Sequence, residues 1–325
     1  MSESSPTVSI IMPTYNQAAY IEASIESVLQ QTFSDFELII IDNYSKDKTK
    51  EIIRGYAASD QRIKYLKFYN HGYIARSRNT GIRQAKGLYI AFLDSDDLWK
   101  PTKLERQLTV FRQFPSVGLV YCQAQYIDAD GSQINTIGKG NGIAGYGPEN
   151  TDIQNAYELF ITHQLRPPTL TVMSKKDVIM AAGFFFEWVK YQVEDSILWA
   201  RIMMKNSVFF IPESLALYRV HRDSYTSKMT SLRSLDSKLE FYFNLYPYTG
   251  HGDLLLKQEL TRLSNKLMFR RELPFVQRWV RILQILSFLY RCDQLSIWGV
   301  LKKVSYIPLK EFFRKAINRI KGMRI

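Results

Sequence analysis

Two aspartates that could share a metal ion follow an apolar stretch of the chain. Residues 90–93 are apolar, and the next four residues are Asp94-Ser95-Asp96-Asp97. The apolar run predicts a buried strand, and open α/β sheets bind their ligands at the carboxyl ends of strands. Because only the small Ser95 separates Asp94 from Asp96, both carboxylates can turn toward one divalent cation. Mg²⁺ and Mn²⁺ accept one or two carboxylates together with phosphate oxygens, so the turn predicts a metal–diphosphate site. A solvated acidic turn is the alternative.

Two further groups of polar residues lie in the second half of the chain. Glu194 and Asp195 precede residues 196–205, an apolar-rich segment that predicts a helix. Carboxylates in a first turn interact favourably with the helix dipole, so these acids can simply mark a helix start. His221 follows residues 215–220, which predict a strand. It can be a metal ligand, a phosphate contact or a packed surface histidine.

The elements around these residues predict an α/β fold in which strands alternate with helices. This alternation is typical of a mostly parallel sheet with helices on both faces. Since the carboxyl ends of such strands meet along one edge, we expect Thr14, Tyr15, Asp42 and Asn43 to lie there with the acidic turn, forming a nucleotide site. The predicted strands are residues 8–12, 36–41, 63–68 and 90–93, and the predicted helices are residues 18–30, 47–58, 76–86 and 101–114.

After residue 114 the pattern changes to a mixture of elements. The predictions are a hairpin of residues 117–127 and 132–137, a helix over residues 151–163, and strands over residues 169–174, 208–211 and 215–220. The glycine-rich residues 138–148 predict a loop. Residues 140–145 match the dinucleotide-binding pattern G-x-G-x-x-G, but Pro148 follows and no helix opens there, so the match is rejected. No P-loop pattern occurs in the sequence.

The positive charge is concentrated at the C-terminal end. The chain of 325 residues has a net charge of +12, and residues 229–325 hold 18 of its 43 basic residues but only 7 of its 31 acidic residues.

Two distant cysteines, Cys122 and Cys292, indicate a reducing compartment and exclude a cysteine-rich zinc site. The polar start does not resemble a secretory signal, and no apolar run is long enough to span a bilayer. We therefore expect a cytoplasmic protein.

The C-terminal segment predicts helices that contact a membrane surface. Basic side chains surround an apolar stripe with helical spacing, which is typical of a helix that lies on an anionic membrane. A helical cap packed on the first domain is the alternative. Nucleic-acid binding is not expected, because the basic residues alternate with a wide apolar face. The predicted domains are residues 1–228 and 229–325. The stripe consists of Leu309, Phe312, Phe313, Ala316, Ile317 and Ile320.

Several motifs, taken in order, resemble family 2 glycosyltransferases, a group of inverting enzymes with the GT-A fold. The motifs extend across about two thirds of the chain, and it is their combination that makes the resemblance specific. They are Val8-Ser9-Ile10-Ile11-Met12-Pro13-Thr14-Tyr15-Asn16, Gln31-Thr32-Phe33, Asp42-Asn43-Tyr44-Ser45-Lys46-Asp47-Lys48-Thr49, Ala75-Arg76-Ser77-Arg78-Asn79-Thr80-Gly81, Asp94-Ser95-Asp96-Asp97-Leu98-Trp99, Glu194-Asp195 and Tyr218-Arg219-Val220-His221.

The resemblance implies a role for each matching position. Asp94 and Asp96 should hold Mn²⁺ or Mg²⁺ on the donor diphosphate, with His221 as a further candidate ligand. Asp195 should be the catalytic base. Asn43 departs from the pattern, since many relatives carry a second acid there, but UDP remains the expected nucleotide. The expected donor-binding residues are Pro13, Thr14, Tyr15, Asn16, Asp42, Asn43, Arg78, Asp94 and Ser95.

These expectations combine into one functional hypothesis. The protein should transfer a sugar from a nucleotide diphosphate, expected to be UDP, to a glycan or a lipid-linked glycan. Such a reaction belongs to bacterial surface polysaccharide synthesis, and the enzyme would be peripheral on the inner face of the cell membrane. The alternatives are a nucleotidyltransferase and an inactive homologue that only binds nucleotide sugars.

Overall fold

The computed structural model of the protein describes residues 5–135, 142–222, 224, 230–249, 253–269, 281–285 and 288. Within these ranges the chain forms one mixed ten-stranded sheet with helices around it. The strands are β1 (Val8–Thr14), β2 (Phe36–Asp42), β3 (Ile63–Lys67), β4 (Tyr89–Phe92), β5 (Leu98–Trp99), β6 (Val117–Ile127), β7 (Ile143–Ala144), β8 (Asp152–Ile153), β9 (Met173–Lys175) and β10 (Ser207–Arg219).

Nine helices are described, together with a 3₁₀ turn at Thr169–Thr171. The helices are α1 (Ile21–Leu29), α2 (Thr49–Ser59), α3 (Ile74–Gln84), α4 (Lys103–Gln113), α5 (Ala156–Ile161), α6 (Lys176–Ala182), α7 (Glu194–Met203), α8 (Ser231–Thr249) and α9 (Leu254–Phe269).

The first half of the sheet is parallel, as the sequence predicts. Strands β3, β2, β1 and β4 lie in that order, with β1 paired to β2 from Val8↔Phe36 to Thr14↔Asp42. Helices α1, α2 and α3 connect successive strands. Strand β1 extends to Thr14 rather than ending at residue 12, so Pro13 lies within it. Proline is tolerated there because pairing with β4 stops at Ile11↔Phe92, before Pro13 would need a donor.

The second half of the sheet differs from the prediction in several places. Residues 152–153 form strand β8 instead of helix, because Ile153 pairs with Val208 of β10. Residues 169–171 form the 3₁₀ turn, and only residues 173–175 form strand. The two predicted strands at 208–211 and 215–220 are one irregular strand, β10. Helix α6 and strands β5 and β7 were not predicted.

The predicted hairpin after β6 is only partly correct. The turn forms, because Asp128 accepts hydrogen bonds from the backbone N–H groups of Asp130 and Ser132. Within residues 132–135, the described part of the returning strand, one bridge is formed, Ile127↔Gln133, and β7 pairs with β6. Residues 136–141, which include part of the rejected glycine-rich match, lie outside the described residues.

The described residues divide into two compact units, with the boundary between Phe241 and Tyr242. In the second unit, Phe288 packs against Phe243 and Tyr246, with ring centroids 4.5 and 5.0 Å away. The boundary at 228/229 stays a prediction. The predicted amphipathic stripe at residues 309–320 lies outside the described residues. Among those described, no helix combines the length and the apolar character needed to span a bilayer.

Helix α3 lies unusually close to the sheet at Gly81. A Cβ atom added there would lie 2.7 Å from Cγ2 of Ile11 and 2.8 Å from Cδ1 of Ile41, both in fully buried side chains. The absence of a side chain at Gly81 therefore sets the height of α3 above β1 and β2. Helix α3 also carries Arg78, so the same height sets the position of Arg78.

We predict that Gly81→Ala destabilises the protein by about 1–3 kcal/mol, since an added methyl group overpacks the core. Gly55→Ala in α2 is the matched control, because nothing lies within 4 Å of a Cβ atom there. That change should stabilise the helix by up to about 1 kcal/mol. Urea unfolding followed by circular dichroism measures both effects, and equal stability of the two variants would contradict the packing argument.

A lysine is buried beneath the segment that follows the acidic turn. Lys103 is fully buried, donates a hydrogen bond to Oε1 of Gln107 at 2.8 Å, and places Nζ 3.9 Å from the ring centroid of Trp99. Burial disfavours the charged amine and lowers the pKa of Lys103 to about 8, from 10.5 for a free side chain.

This pKa shift predicts a pH dependence of stability. Between about pH 8 and pH 10.5 the unfolded chain binds more protons at Lys103 than the folded chain, so the free energy of unfolding rises with pH by about 3 kcal/mol at most. Lys103→Met should remove this rise, and Lys48→Met, at an exposed position, should preserve it. Urea midpoints measured from pH 7 to pH 10.5 test this, and an unchanged slope in Lys103→Met would refute it.

Candidate active site

The loops after β1 and β2 are hydrogen-bonded to each other at the carboxyl edge of the sheet. Asn16, with φ of 52°, donates its backbone N–H to Oγ of Ser45 at 2.9 Å. Its side-chain Oδ1 accepts from the backbone N–H of Lys46 at 2.8 Å. Tyr15 beside it is exposed. The hydroxyl of Thr14 is buried and has no hydrogen-bond partner within the described residues.

Asp42 and Asn43 hold this edge together from within. Oδ1 of Asp42 accepts from the backbone N–H and the hydroxyl of Ser45, at 2.8 and 2.6 Å, and Oδ2 accepts from the hydroxyl of Tyr65 at 2.7 Å. Oδ1 of Asn43 accepts from the backbone N–H of Asn70 at 3.0 Å. Asp42 is fully buried, so its contacts in this structure position the loop. A direct donor contact by either residue stays a prediction.

The three aspartates of the acidic turn differ in their burial and in their contacts. Asp97 is buried and accepts a hydrogen bond from the backbone N–H of Arg219 at 2.7 Å. Burial, and then the charges of Asp96 and Asp94, raise the pKa of Asp97 well above its usual range. The hydroxyl of Ser24 donates to the backbone oxygens of Ser95 and Asp97, at 3.0 and 2.8 Å, and so fixes the turn. Asp94 and Asp96 remain partly exposed.

Arg78 connects the acidic turn to helix α7. Its guanidinium donates to Oδ1 of Asp94 at 2.9 Å and to Oε1 of Glu194 at 2.7 Å, and only 4% of its side chain is exposed. Burial opposes the charged form, but these carboxylates raise the pKa of Arg78 above its usual value. Burial also raises the pKa of Glu194, to about 7, although Arg78 acts in the opposite direction.

Asp96 is paired with His221, which brings the end of β10 to the acidic turn. Nε2 of His221 lies 3.0 Å from Oδ2 of Asp96. Burial and the nearby Asp94 carboxylate raise the pKa of Asp96, against the effect of this hydrogen bond. Tyr20 supports the arrangement, because its ring lies 4.8 Å from the His221 ring and 5.0 Å from the guanidinium carbon of Arg219.

Asp195 lies in the first turn of α7, as the sequence predicts, and both of its oxygens are oriented. Oδ2 accepts from the hydroxyl of Thr169 at 2.7 Å, and Oδ1 accepts from the backbone N–H of Ser196 at 2.5 Å. Its negative charge also acts on Arg78. The fold therefore gathers carboxylates from residues 94, 194 and 195 around one guanidinium.

Some residues of this cluster were not among the predicted site residues. Glu194 was predicted only as part of a helix start and a family motif, yet it is the buried partner of Arg78. Arg219 also occurs in a quoted motif, and its Nε donates to the backbone oxygen of Asp96 at 2.8 Å. Nothing in the local sequence marks Thr169 or Tyr20, because their roles depend on contacts with distant segments.

The sheet, with its acidic turn at the carboxyl edge, belongs to the GT-A class of glycosyltransferase folds. Two solved structures share it. TarS residues 1–349 from S. aureus, in complex with UDP, matches with a TM-score of 0.64 and 19% identity over 91% of this chain and 87% of that chain. The mannosyltransferase PcManGT from Pyrobaculum calidifontis, in complex with GDP-Man and Mn²⁺, matches with a TM-score of 0.56 and 18% identity over 95% and 84%.

The sequence comparisons then give the family. The profile described as "Glycosyl transferase family 2" matches residues 9–178, so the chain belongs to this family, as its motifs predicted. An uncharacterized glycosyltransferase of Rickettsia typhi is 33% identical over 262 residues, which cover 80% of this chain and 76% of that protein. TuaG of Bacillus subtilis, whose name assigns it to teichuronic acid biosynthesis, is 44% identical over 108 residues, or 33% of this chain and 43% of TuaG. The protein is therefore a glycosyltransferase with relatives in polysaccharide biosynthesis.

We predict that Arg78→Met destabilises the protein by about 3 kcal/mol, because it leaves the buried Glu194 carboxylate without its partner. Adding Glu194→Gln should recover part of this loss, since the uncompensated charge is then removed. Arg106→Met is the matched control, because its ion pair with Glu213 is exposed and should contribute less than about 1 kcal/mol. Urea unfolding measures the three variants. A loss no larger for Arg78→Met than for Arg106→Met would contradict the assigned role.

Proposed function

We propose that this glycosyltransferase transfers a sugar from a nucleotide diphosphate donor, expected to be a UDP-sugar, to a hydroxyl group of a glycan, with inversion at the anomeric carbon. The observation that carries the proposal is the double ion pair of Arg78. It joins Asp94, on the turn suited to a diphosphate and its cation, to Glu194, the neighbour of the proposed base Asp195. Stabilisation of the donor's leaving group and proton removal from the acceptor can then take place in one site.

The donor nucleotide fits the edge formed by the loops after β1 and β2. The exposed ring of Tyr15 is free to contact a base. The hydroxyl of Thr14 beside it is buried and has no hydrogen-bond partner among the described residues. Pro13, Asn16, Asp42 and Asn43 shape the two loops. TarS binds UDP, and PcManGT binds GDP-Man. UDP remains our proposal for this chain.

The carboxylates of the acidic turn suit a divalent cation. No three histidine, cysteine or acidic side chains in the described ranges are arranged to hold a metal ion by themselves. Burial, together with the nearby Asp94 carboxylate, disfavours the charged form of Asp96 and raises its pKa, and such a site suits a cation whose other ligands come from a bound diphosphate. We propose that Asp94 and Asp96 hold Mn²⁺ or Mg²⁺, with His221 close enough to join them. When bound, the ion neutralises charge on the leaving diphosphate. PcManGT was solved with Mn²⁺.

Asp195 is the proposed general base. Its carboxylate takes the proton of the acceptor hydroxyl while the acceptor oxygen forms a bond to the anomeric carbon. The bond from that carbon to the diphosphate oxygen breaks, and the nucleoside diphosphate leaves with the electron pair. A single displacement of this kind inverts the anomeric centre. Thr169 and the backbone N–H of Ser196 hold the base in one orientation.

For the acceptor and the cellular location, the proposal names only a general class. A glycan or lipid-linked glycan of a bacterial surface polysaccharide is supported by relatives such as TuaG. Binding to the inner face of the cell membrane through residues 229–325 rests on their positive charge. Family membership leaves no reason to retain the nucleotidyltransferase alternative. An inactive nucleotide-sugar-binding homologue is the remaining rival.

We predict that Asp195→Asn lowers sugar transfer by about 10²–10⁴-fold but leaves UDP affinity nearly unchanged, because it removes the base and spares the donor site. Asp96→Asn should instead abolish the Mn²⁺-dependent part of UDP binding. A thermal-shift screen of UDP- and GDP-sugars with Mn²⁺ selects the donor. Calorimetry then measures the UDP affinity of each variant, and an assay with that donor measures its rate of sugar transfer.

Asp130→Asn, in the surface turn after β6, is the control and should leave both properties unchanged. Wild-type turnover in Asp195→Asn would remove Asp195 from its role. Donor binding by the wild type without either transfer or donor hydrolysis would favour the inactive homologue.

A further inference from the structure

Trp188 is a large aromatic side chain that remains open to solvent on the segment leading into the proposed base. Its exposed fraction is 63%. The segment lies between α6 and α7, and the first turn of α7 carries Asp195. Single exposed hydrophobic residues are common on protein surfaces, so the support and position of Trp188 decide whether it has a function.

The indole ring is held in place by its neighbours on one side. The ring of Tyr73 forms a T-shaped pair with it, at a ring-centroid distance of 5.4 Å and an interplanar angle of 70°. The guanidinium carbon of Arg76 lies 5.3 Å from its centroid. Glu187, the preceding residue, accepts a hydrogen bond from Nδ2 of Asn79 at 2.9 Å. These contacts restrict the ring while leaving most of it exposed.

The backbone beside Trp188 is anchored to helix α3. The buried Asn79 accepts from the N–H of Phe185 at 3.0 Å through Oδ1, and donates to the oxygen of Phe185 at 2.9 Å through Nδ2. The Phe185 ring packs against Phe92 at 5.3 Å. Trp188 is therefore displayed from a fixed segment, and little conformational entropy is lost when a ligand contacts it.

This segment adjoins the cluster formed by Arg78, Asp94 and Glu194. The guanidinium carbon of Arg78 lies 5.5 Å from the Phe185 ring centroid, and the same guanidinium binds Asp94 and Glu194. Three residues of chain span at most about 11 Å, so the backbone of Trp188 lies within that distance of the backbone of Phe185. An acceptor glycan with its reacting hydroxyl at Asp195 would have to extend along this segment to bring its next sugar units to Trp188.

We propose that Trp188, supported by Tyr73, forms a subsite for a pyranose ring of the acceptor glycan. The carbon-bound hydrogens on one face of a pyranose are apolar and complement the negative face of an indole ring. The indole N–H can donate to a sugar hydroxyl, and Arg76 and Glu187 provide a polar rim. The proposal rests on the proposed function, because it takes Asp195 as the place where the acceptor hydroxyl reacts.

The first test is an NMR titration, in which the indole N–H signals of ¹⁵N-labelled protein are monitored as the ligand is added. The chain has five tryptophans, and Trp188→Phe identifies the signal of Trp188. The probes are methyl glycosides of glucose, galactose, mannose, N-acetylglucosamine and glucuronic acid at up to tens of millimolar, with and without UDP and Mn²⁺. We expect at least one glycoside to shift the Trp188 signal saturably. If none of them does so, the proposal is overturned.

The second test compares variants with the glycoside selected in this way. Trp188→Ala should weaken its binding about tenfold, and Trp188→Phe should weaken it less because a smaller ring remains. UDP affinity should not change in either variant. Leu88→Ala is the matched control, because Leu88 is also exposed but directly precedes β4, at the opposite edge of the sheet. It should bind the glycoside like the wild type.

The outcomes separate this proposal from the proposed function. Equal glycoside affinity in wild type and Trp188→Ala, with UDP binding intact, overturns the subsite and leaves the glycosyltransferase proposal standing. Failure of the wild type to bind any nucleotide or nucleotide sugar overturns the donor assignment, while the titration without UDP still tests the subsite. A threefold or smaller loss in Trp188→Ala counts against the subsite.

Discussion

The buried cation of Arg78 is the interaction on which the site depends. Asp94, Glu194 and Asp195 would repel one another if they were gathered in a cleft with little water. Arg78 offsets that repulsion through two charge-assisted hydrogen bonds in a planar geometry that a lysine could not reproduce. Burying these ions carries a large desolvation penalty, so the arrangement adds little net stability by itself. Its effect is to place the acidic turn and the start of α7 at fixed positions relative to each other.

The scaffold around Arg78 is rigid where the chemistry needs precision. Gly81 lets α3 approach the sheet closely, which sets the depth of the guanidinium. Asp97 accepts a hydrogen bond from the backbone N–H of Arg219 and is buried, whereas Asp94 and Asp96 remain partly exposed. Trp99 donates its indole N–H to the oxygen of Leu170 at 2.8 Å, and Thr169, next to Leu170, orients Asp195. A continuous series of buried contacts therefore connects the acidic turn to the proposed base.

The two halves of the sheet could not be predicted equally well from the sequence. In the parallel half, β1, β2 and β4 are mostly apolar, the edge strand β3 carries Lys64 and Lys67, and helices alternate with the strands. Local pattern and final structure therefore agree there. In the second half, short strands are defined by their partners. Residues 152–153 become strand because Val208 and Phe209 offer an edge, and the strand predicted after the Asp128 turn gives way to β7. No property of these short segments alone distinguishes the two outcomes.

The sequence by itself determined the family, the parallel α/β core and the acids at its carboxyl edge, since these follow from periodicity and from motifs in fixed order. It could not determine the partners of those acids. Glu194 and Asp195 are adjacent in the chain, yet one faces Arg78 and the other faces Thr169. Asp42 lies at the predicted edge but points inward to Ser45 and Tyr65. Such assignments depend on distances between segments up to 125 residues apart, and only the packing of α3, α7 and β10 on one sheet fixes those distances.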